Sequence, residues 1–296
     1  MKTLGELKYF APKTLAEAVL LLGRYREEAK ILAGGTDLVP LMKDRILTPR
    51  YIVDIKTIPE LSYVIGNGKQ GLKVGALTKI VTILESGGIK SNHISLYEAA
   101  SSLGAAQVRN MATIGGNICR SSPSADMVPP LMIFDAELKL VGPDGERTLL
   151  LEDFYTGPGK NVLNNEILVE IELPPSTERY GTAFRKIART SEDLAKVNCA
   201  VKIAFVDRIC RDIGIALGAV APMPIRARKT EKALRGKRIN DETIKEAISK
   251  VCEDISPIDD CRSDISYRTQ ICQTLIRLLL DKAIERLEDN GKHDCY

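Results

Sequence analysis

Two glycine pairs offer the chain's clearest chemistry: Gly34-Gly35-Thr36-Asp37, and Gly115-Gly116-Asn117 about eighty residues later. Adjacent glycines leave main-chain amides unshielded, so an anionic or planar ligand can come within hydrogen-bonding distance of the backbone. The first pair runs into the helix-like Leu38-Val39-Pro40-Leu41-Met42-Lys43, and a helix start favours a phosphate. The second lies in Gln107-Val108-Arg109-Asn110-Met111-Ala112-Thr113-Ile114-Gly115-Gly116-Asn117-Ile118, ahead of Ser121-Ser122-Pro123-Ser124-Ala125-Asp126. Two such loops suit a long ligand, although double glycines also mark ordinary turns. A third stretch, Gly66-Asn67-Gly68-Lys69-Gln70-Gly71, fits the dinucleotide pattern G-x-G-x-x-G. A short β-like run follows it in place of a helix, so it reads as a hairpin turn.

Other chemistries find little support. The seven cysteines (119, 199, 210, 252, 261, 272 and 295) are odd in number and irregularly spaced, with no CxxC, and the only histidines are His93 and His293. Reduced thiols and no metal held by this chain are the expectation. No general acid–base pair or nucleophile constellation stands out. The 42 basic and 39 acidic residues are spread along the chain for a formal charge of +3, which leaves no basic stripe for nucleic acid. No apolar run approaches a membrane span, and the start, Met1-Lys2-Thr3-Leu4-Gly5-Glu6, lacks the apolar core of a secretory signal; a cytoplasmic location is expected.

The elements that must position the loops interleave from the start. With 296 residues, 44% hydrophobic and 27% charged, the chain can bury more than one core. Thr14 can cap a helix carrying Leu15, Ala18, Val19 and Leu22, with Gly23 ending it. Lys30-Ile31-Leu32-Ala33 and Tyr51-Ile52-Val53-Asp54-Ile55 read as strands of a first βαβ-like unit closing near residue 57. Paired strands over Leu61–Ile65 and Leu72–Val74 follow, then helices over about Thr78–Ser86 and Ser95–Leu103. Further on, Cys199–Val206 and Ile213–Val220 are β-rich runs around a polar turn, Asp207–Asp212, and Asp241 begins a helix. Ile271, Leu275, Leu279, Ala283 and Leu287 make an apolar stripe on the last helix, expected to face the chain's own core.

Ala33-Gly34-Gly35-Thr36-Asp37-Leu38 and Ala112-Thr113-Ile114-Gly115-Gly116-Asn117-Ile118, with Ser124-Ala125-Asp126, resemble the two FAD signatures of the medium subunit of the xanthine dehydrogenase and carbon monoxide dehydrogenase family of molybdenum hydroxylases. Later blocks continue the resemblance: Asp153–Lys160, Glu166–Pro174, Phe184-Arg185-Lys186 with Arg189 and Asp193-Leu194-Ala195, and Gly218–Arg226. It implies an α+β fold, with a two-part N-terminal FAD-binding domain of the vanillyl-alcohol-oxidase type and a C-terminal α+β domain built on a three-stranded antiparallel sheet. The expected pieces are residues 1–57, 58–175 and 176–296.

By the same resemblance, Lys30, Ile31, Leu32, Ala33, Gly34, Gly35, Thr36, Asp37 and Leu38 would cradle the FAD pyrophosphate. Thr113, Gly116 and Asn117 would sit by the flavin and its phosphates. Leu103 and Arg120 belong to the same implied site, though Arg120 stands where related enzymes often carry a small residue. Asp126 would bond the ribityl or adenosine side. Leu168 and either Arg185 or Lys186 would lie at the flavin ring, where a cation would stabilise charge on the reduced ring. FAD would be non-covalent, and a large molybdenum–pterin subunit and a small subunit with two [2Fe-2S] clusters would be the partners, assembled as a dimer of heterotrimers. The chain would relay electrons to NAD or another acceptor. A cysteine-ligated [4Fe-4S] cluster, carried by one branch of the family, is not expected, since no cysteine falls between Cys119 and Cys199. Thr156-Gly157-Pro158-Gly159-Lys160 is most like xanthine dehydrogenase flavoprotein subunits, which leans toward purines among several possible substrates. The rival readings are a stand-alone flavin oxidase, a Rossmann dehydrogenase and a scaffold subunit that has lost its flavin.

Overall fold

A computed structural model describes residues 7–67, 70–176 and 178–293. The opening stretch read for a signal, residues 68–69 of the glycine-rich turn and Cys295 lie outside them. The first unit is β1 (Lys8–Phe10), α1 (Leu15–Tyr25), β2 (Ala29–Leu32), α2 (Leu38–Lys43) and β3 (Tyr51–Asp54), a parallel sheet in the order β1-β3-β2. Thr14 Oγ1 caps α1 by accepting from the Glu17 amide at 3.2 Å. The expected stop at Gly23 does not occur: the helix runs two residues further, to a cap at Arg26 with φ 44°. Gly23 serves packing instead, since a Cβ there would stand 3.3 Å from Pro143 Cγ.

The second unit opens with the hairpin β4 (Val64–Asn67) and β5 (Gly71–Gly75), so the G-x-G-x-x-G stretch joins two antiparallel strands and is no Rossmann fingerprint. Short helices follow: α3 (Ile80–Glu85), α4 (Gly87–Asn92), α5 (Ile94–Ser102), α6 (Ala106–Arg109), α7 (Ile114–Cys119) and α8 (Val128–Met132). The helix read over Thr78–Ser86 is shorter at both ends, with Lys79 and Ser86 as its caps. Strands β6 (Glu137–Gly142) and β7 (Gly145–Leu150), the small pair β8 (Tyr155–Gly157) and β9 (Lys160–Asn161), and β10 (Ile167–Leu173) complete the unit. Its main sheet has the order β4-β5-β10-β6-β7. Ile167 and Val169 of β10 pack into the core of the first unit, together with Ala18, Leu22 and Val53, which joins the two.

The third unit has three long antiparallel strands, β11 (Gly181–Ile187), β12 (Val197–Val206) and β13 (Ile209–Gly218), plus a two-residue edge strand, β14 (Ile225–Arg226). The turn between β12 and β13 is only Asp207-Arg208, with φ 51° and 64°, and not the six-residue loop its polarity suggests. Both residues are left-handed, as a type I′ hairpin requires. A bulge between Ala204 and Phe205 absorbs the extra residue. Helices α9 (Arg228–Leu234), α10 (Asp241–Ser249) and α11 (Ile265–His293) cover the sheet. The α11 stripe faces the chain's own core as expected: Leu275, Leu279, Ala283 and Leu287 are buried and Ile271 is partly so. No helix among the described residues is long and apolar enough to cross a membrane.

Glu98 of α5 clamps the second unit to the third. Its carboxylate accepts from Lys282 (2.7 Å) and Arg286 (2.6 Å) of α11 and from the Phe184 amide of β11 (2.8 Å). Burial alone would push this carboxyl up, but the bonds from Arg286, Lys282 and Phe184 outweigh it and hold it below its ordinary value. A depressed folded-state value means the clamp is fully present above the unfolded carboxyl value of about 4.3 and is lost as pH falls through the folded one. Glu98→Gln is expected to cost about 1.5–3 kcal/mol at pH 7. Urea midpoints measured between about pH 5 and pH 3 should fall less steeply in the variant than in the parent; equal slopes would rule the clamp out as a source of acid sensitivity.

Candidate functional site

The first glycine loop leaves β2 at Leu32, whose carbonyl accepts from the Ile55 amide at 3.1 Å, and turns through Ala33–Asp37 into α2. Gly35 takes φ +75°, which a side chain resists. Gly34 has a different reason: a Cβ there would lie 2.3 Å from Met111 O and 2.8 Å from Ala112 Cα. The loop therefore rests backbone-to-backbone on the segment just before the second glycine pair. Among the described residues, no hydrogen bond within the chain uses the amides of Gly34, Gly35, Thr36 or Asp37 as donors. These partly exposed donors suit a polyanion, because a polar N–H needs an acceptor wherever water is displaced. Lys30 on β2 and Asp37 are exposed, whereas Ile31, Leu32, Ala33, Thr36 and Leu38 are half-buried.

The second pair works differently from the expectation. Thr113 caps α7 through its side chain, which accepts from the Gly116 amide at 3.1 Å. The Ile114 amide bonds Thr78 O, the Gly115 amide bonds Ala76 O at 2.9 Å, and the Asn117 amide bonds Thr113 O. The first turn of α7 thus spends its amides inside the protein. Gly115 is needed for closeness, since a Cβ would meet Ala76 Cβ and O at 2.7 Å. Gly116 faces the first loop, with its would-be Cβ 4.0 Å from Ala33 Cβ. Asn117 Oδ1 accepts from the Met127 amide at 3.2 Å and fastens the following segment. Arg120 Nε reaches Asp37 Oδ1 at 3.3 Å, linking the two loops by an exposed ion pair. Behind it, Ser121 sits buried at φ 54°, its carbonyl accepting from Gly159 N and its hydroxyl from Asn161 Nδ2. Sequence reasoning missed Asn161, which carries no local signal.

A buried ionic cluster closes the far end. Lys186 of β11 donates to Asp126 Oδ2 at 2.9 Å and to Ser102 O at 2.5 Å, and its side chain is 4% exposed. Asn198 Nδ2 donates to the other oxygen, Oδ1, at 3.0 Å. Burial pushes the Asp126 carboxyl above its ordinary value, and the opposing pull of Lys186 and Asn198 offsets only part of the rise. Arg185, next to Lys186 on the strand, is exposed and takes no part. Leu103 and Leu168 are buried in one apolar cluster with Ile114 and Ile118 of α7. Beside the ion pair lies a cleft of about 570 Å³, lined by Ser102, Gly104, Arg109, Lys186, Arg189 and Thr190 among others. Arg109 is fixed there by the Leu103 and Gly104 carbonyls.

Residues 5–176 match the family described as the FAD binding domain in molybdopterin dehydrogenase, and residues 182–283 match the CO dehydrogenase flavoprotein C-terminal domain. The chain belongs to the FAD-binding subunits of the molybdenum hydroxylases. Among these subunits, it is 35% identical over 271 residues to the glyceraldehyde dehydrogenase medium chain of Sulfolobus acidocaldarius, covering 91% of this chain and 95% of that one. Identity is 34% over 280 residues with the carbon monoxide dehydrogenase medium chain of Hydrogenophaga pseudoflava (94% and 97% covered). It is likewise 34% with the xanthine dehydrogenase FAD-binding subunit of Escherichia coli (93% and 95% covered). A solved carbon monoxide dehydrogenase from Hydrogenophaga pseudoflava, lacking the Mo-pyranopterin moiety, superposes with a TM-score of 0.92, covering 96% of this chain and 99% of that one at 34% identity. As a FAD-binding subunit, the chain is a component of an oxidoreductase. The four loop amides and the glycine contacts between its two signatures fit that cofactor.

Proposed function

We propose that this chain is the electron relay of a heteromeric molybdenum hydroxylase, taking electrons from [2Fe-2S] clusters on a small partner subunit and delivering them to NAD or another acceptor in the cytoplasm. A large molybdenum–pterin subunit would oxidise the substrate, in an assembly of two heterotrimers. The carrying observation is the set of unused amides at Gly34–Asp37, pressed against the second family signature. Bound FAD would supply redox chemistry at both the one- and the two-electron level. The chain's own residues bind and tune. The segment Lys30–Leu38 takes the pyrophosphate on its amides, and Thr113, Gly116 and Asn117 bound the opposite side. Arg120 adds a cation beside Asp37. Because Lys186 holds Asp126 at 2.9 Å, the two belong to one end of the site, which favours the ribityl and flavin end for Asp126. Lys186, whose side chain is 4% exposed, and not the exposed Arg185, supplies the cation there, with Leu103 and Leu168 as apolar walls.

The three larger sheets support pieces bounded near residues 57 and 175. Relatives of nearly equal identity are named for glyceraldehyde, carbon monoxide and xanthine, so the substrate is set by another polypeptide; the Thr156–Lys160 block leans toward a purine. The test is the visible spectrum of the purified chain, with any flavin released by acid and identified by chromatography. Stoichiometric FAD without iron–sulfur absorption is the expected result. A colourless, folded chain that refuses added FAD would overturn the reading in favour of a scaffold subunit.

A further inference from the structure

Asn198 stands in the apolar run Val197–Val201 of β12 and is fully buried. A buried amide in such a strand is costly unless its bonds are made. Its Nδ2 bonds Asp126, while its Oδ1 finds no partner. The amide thus stands among apolar neighbours with only its donor side satisfied. Register explains what it gains: Asn198 and Lys186 are direct cross-strand partners on β12 and β11, and each takes one oxygen of the same carboxylate. The neighbouring strand keeps the place open, since a Cβ at Gly218 would fall 2.2 Å from Asn198 Oδ1.

We propose that Asn198 is a positioning residue of the flavin end of the site: by bonding one oxygen of Asp126 it holds that carboxyl against the Lys186 ammonium at the wall of the cleft. This rests on the reading that the cleft receives the flavin. Asp126 is 6% exposed, so a carboxylate that loses one of its two donors there is poorly solvated and takes up a proton more readily. The Lys186 side chain then faces a neutral partner, and the cleft becomes more positive. Removing Lys186 does the opposite. Bound FAD gains negative charge on reduction, so its potential follows the local field.

The test is the reduction potential of FAD bound to the full chain, read by spectral titration against a reference dye. Four forms are compared with the parent: Lys186→Met, Asp126→Asn, Asn198→Leu and the pair Asp126→Asn with Asn198→Leu. Asn198→Leu is expected to raise the reduction equilibrium about tenfold, or ~30 mV for two electrons. Asp126→Asn should shift the same way and Lys186→Met the opposite way, and Asn198→Leu should add nothing once Asp126 is asparagine. Where leucine disturbs folding, Asn198→Ser, too short to reach the carboxylate, serves in its place. If Lys186→Met and Asp126→Asn move the potential while a folded, FAD-loaded Asn198 variant does not, Asn198 is merely structural and the proposal is overturned. If none of the variants moves it, the placement of the flavin in this cleft fails as well.

Discussion

Replacing Gly34 with alanine is expected to strip the chain of most of its FAD. The added carbon would fall 2.3 Å from Met111 O and 2.8 Å from Ala112 Cα, both backbone atoms that cannot swing aside. The first loop must lift off the second segment, and its amides then point away from any shared ligand. Overpacking of this kind costs roughly 1–3 kcal/mol, so the dissociation constant should rise about 5–150-fold. Equilibrium dialysis of FAD against parent and variant reads this directly. Gly87→Ala is the control: that glycine is exposed on α4 with nothing within 4 Å of its would-be Cβ, and its replacement should leave FAD binding untouched. Parental affinity in Gly34→Ala would show that the contact between the loops is not needed for the cofactor.

Arg226→Ala should produce the largest loss of stability. The guanidinium donates to Met132 O at 2.7 Å, to Asp135 Oδ1 at 2.6 Å and to Glu231 Oε1 at 2.7 Å, and its side chain is 3% exposed. Glu231 is equally buried and also accepts from the Ile215 amide. Taking the arginine away leaves the buried Glu231 carboxylate with only the half-exposed Arg228, 3.5 Å from its other oxygen, as counter-charge, which costs about 3 kcal/mol, the lower end for a broken buried pair. It also unfastens α8 of the second unit from the third. A melting temperature lower by roughly 10 °C follows, at a few degrees per kcal/mol for a chain of this size. A drop under about 2 °C would show that the pair merely offsets its own desolvation.

Much of this molecule was legible in local patterns. Both glycine signatures are contiguous, so their residue types and order betray them without any tertiary knowledge. The alternation of helix and strand in the first unit, the hairpin at Gly66–Gly71 and the stripe on the last helix are likewise properties of short windows. What local pattern could not give is partnership. Lys186 and Asp126 are sixty residues apart, and only strand register decides that Lys186 turns inward while Arg185 turns out. The same register makes Asn198 a site neighbour. A lone polar residue in an apolar strand was the available clue, since such a residue needs a buried partner. The use made of Gly115-Gly116 was hidden for a related reason. Whether a glycine frees an amide or admits a neighbouring backbone depends on what lies opposite, here Ala76 and Ala33. Local polarity also misread the turn at 207–212, because exposed edge residues of a strand are polar too.

The Asp126–Lys186–Asn198 cluster straddles the seam between the two family segments, which meet between residues 176 and 182. Recombination is therefore not free at that joint. A chimeric gene that fuses the first 176 residues of this chain to the C-terminal segment of a relative inherits Asp126 from one parent and its two donors from the other. On the proposed placement of the flavin, such hybrids should keep a working cofactor site only when the second parent supplies a lysine and an amide in matching register, so that compatibility in a fusion would travel as a trio of residues and not as separable halves.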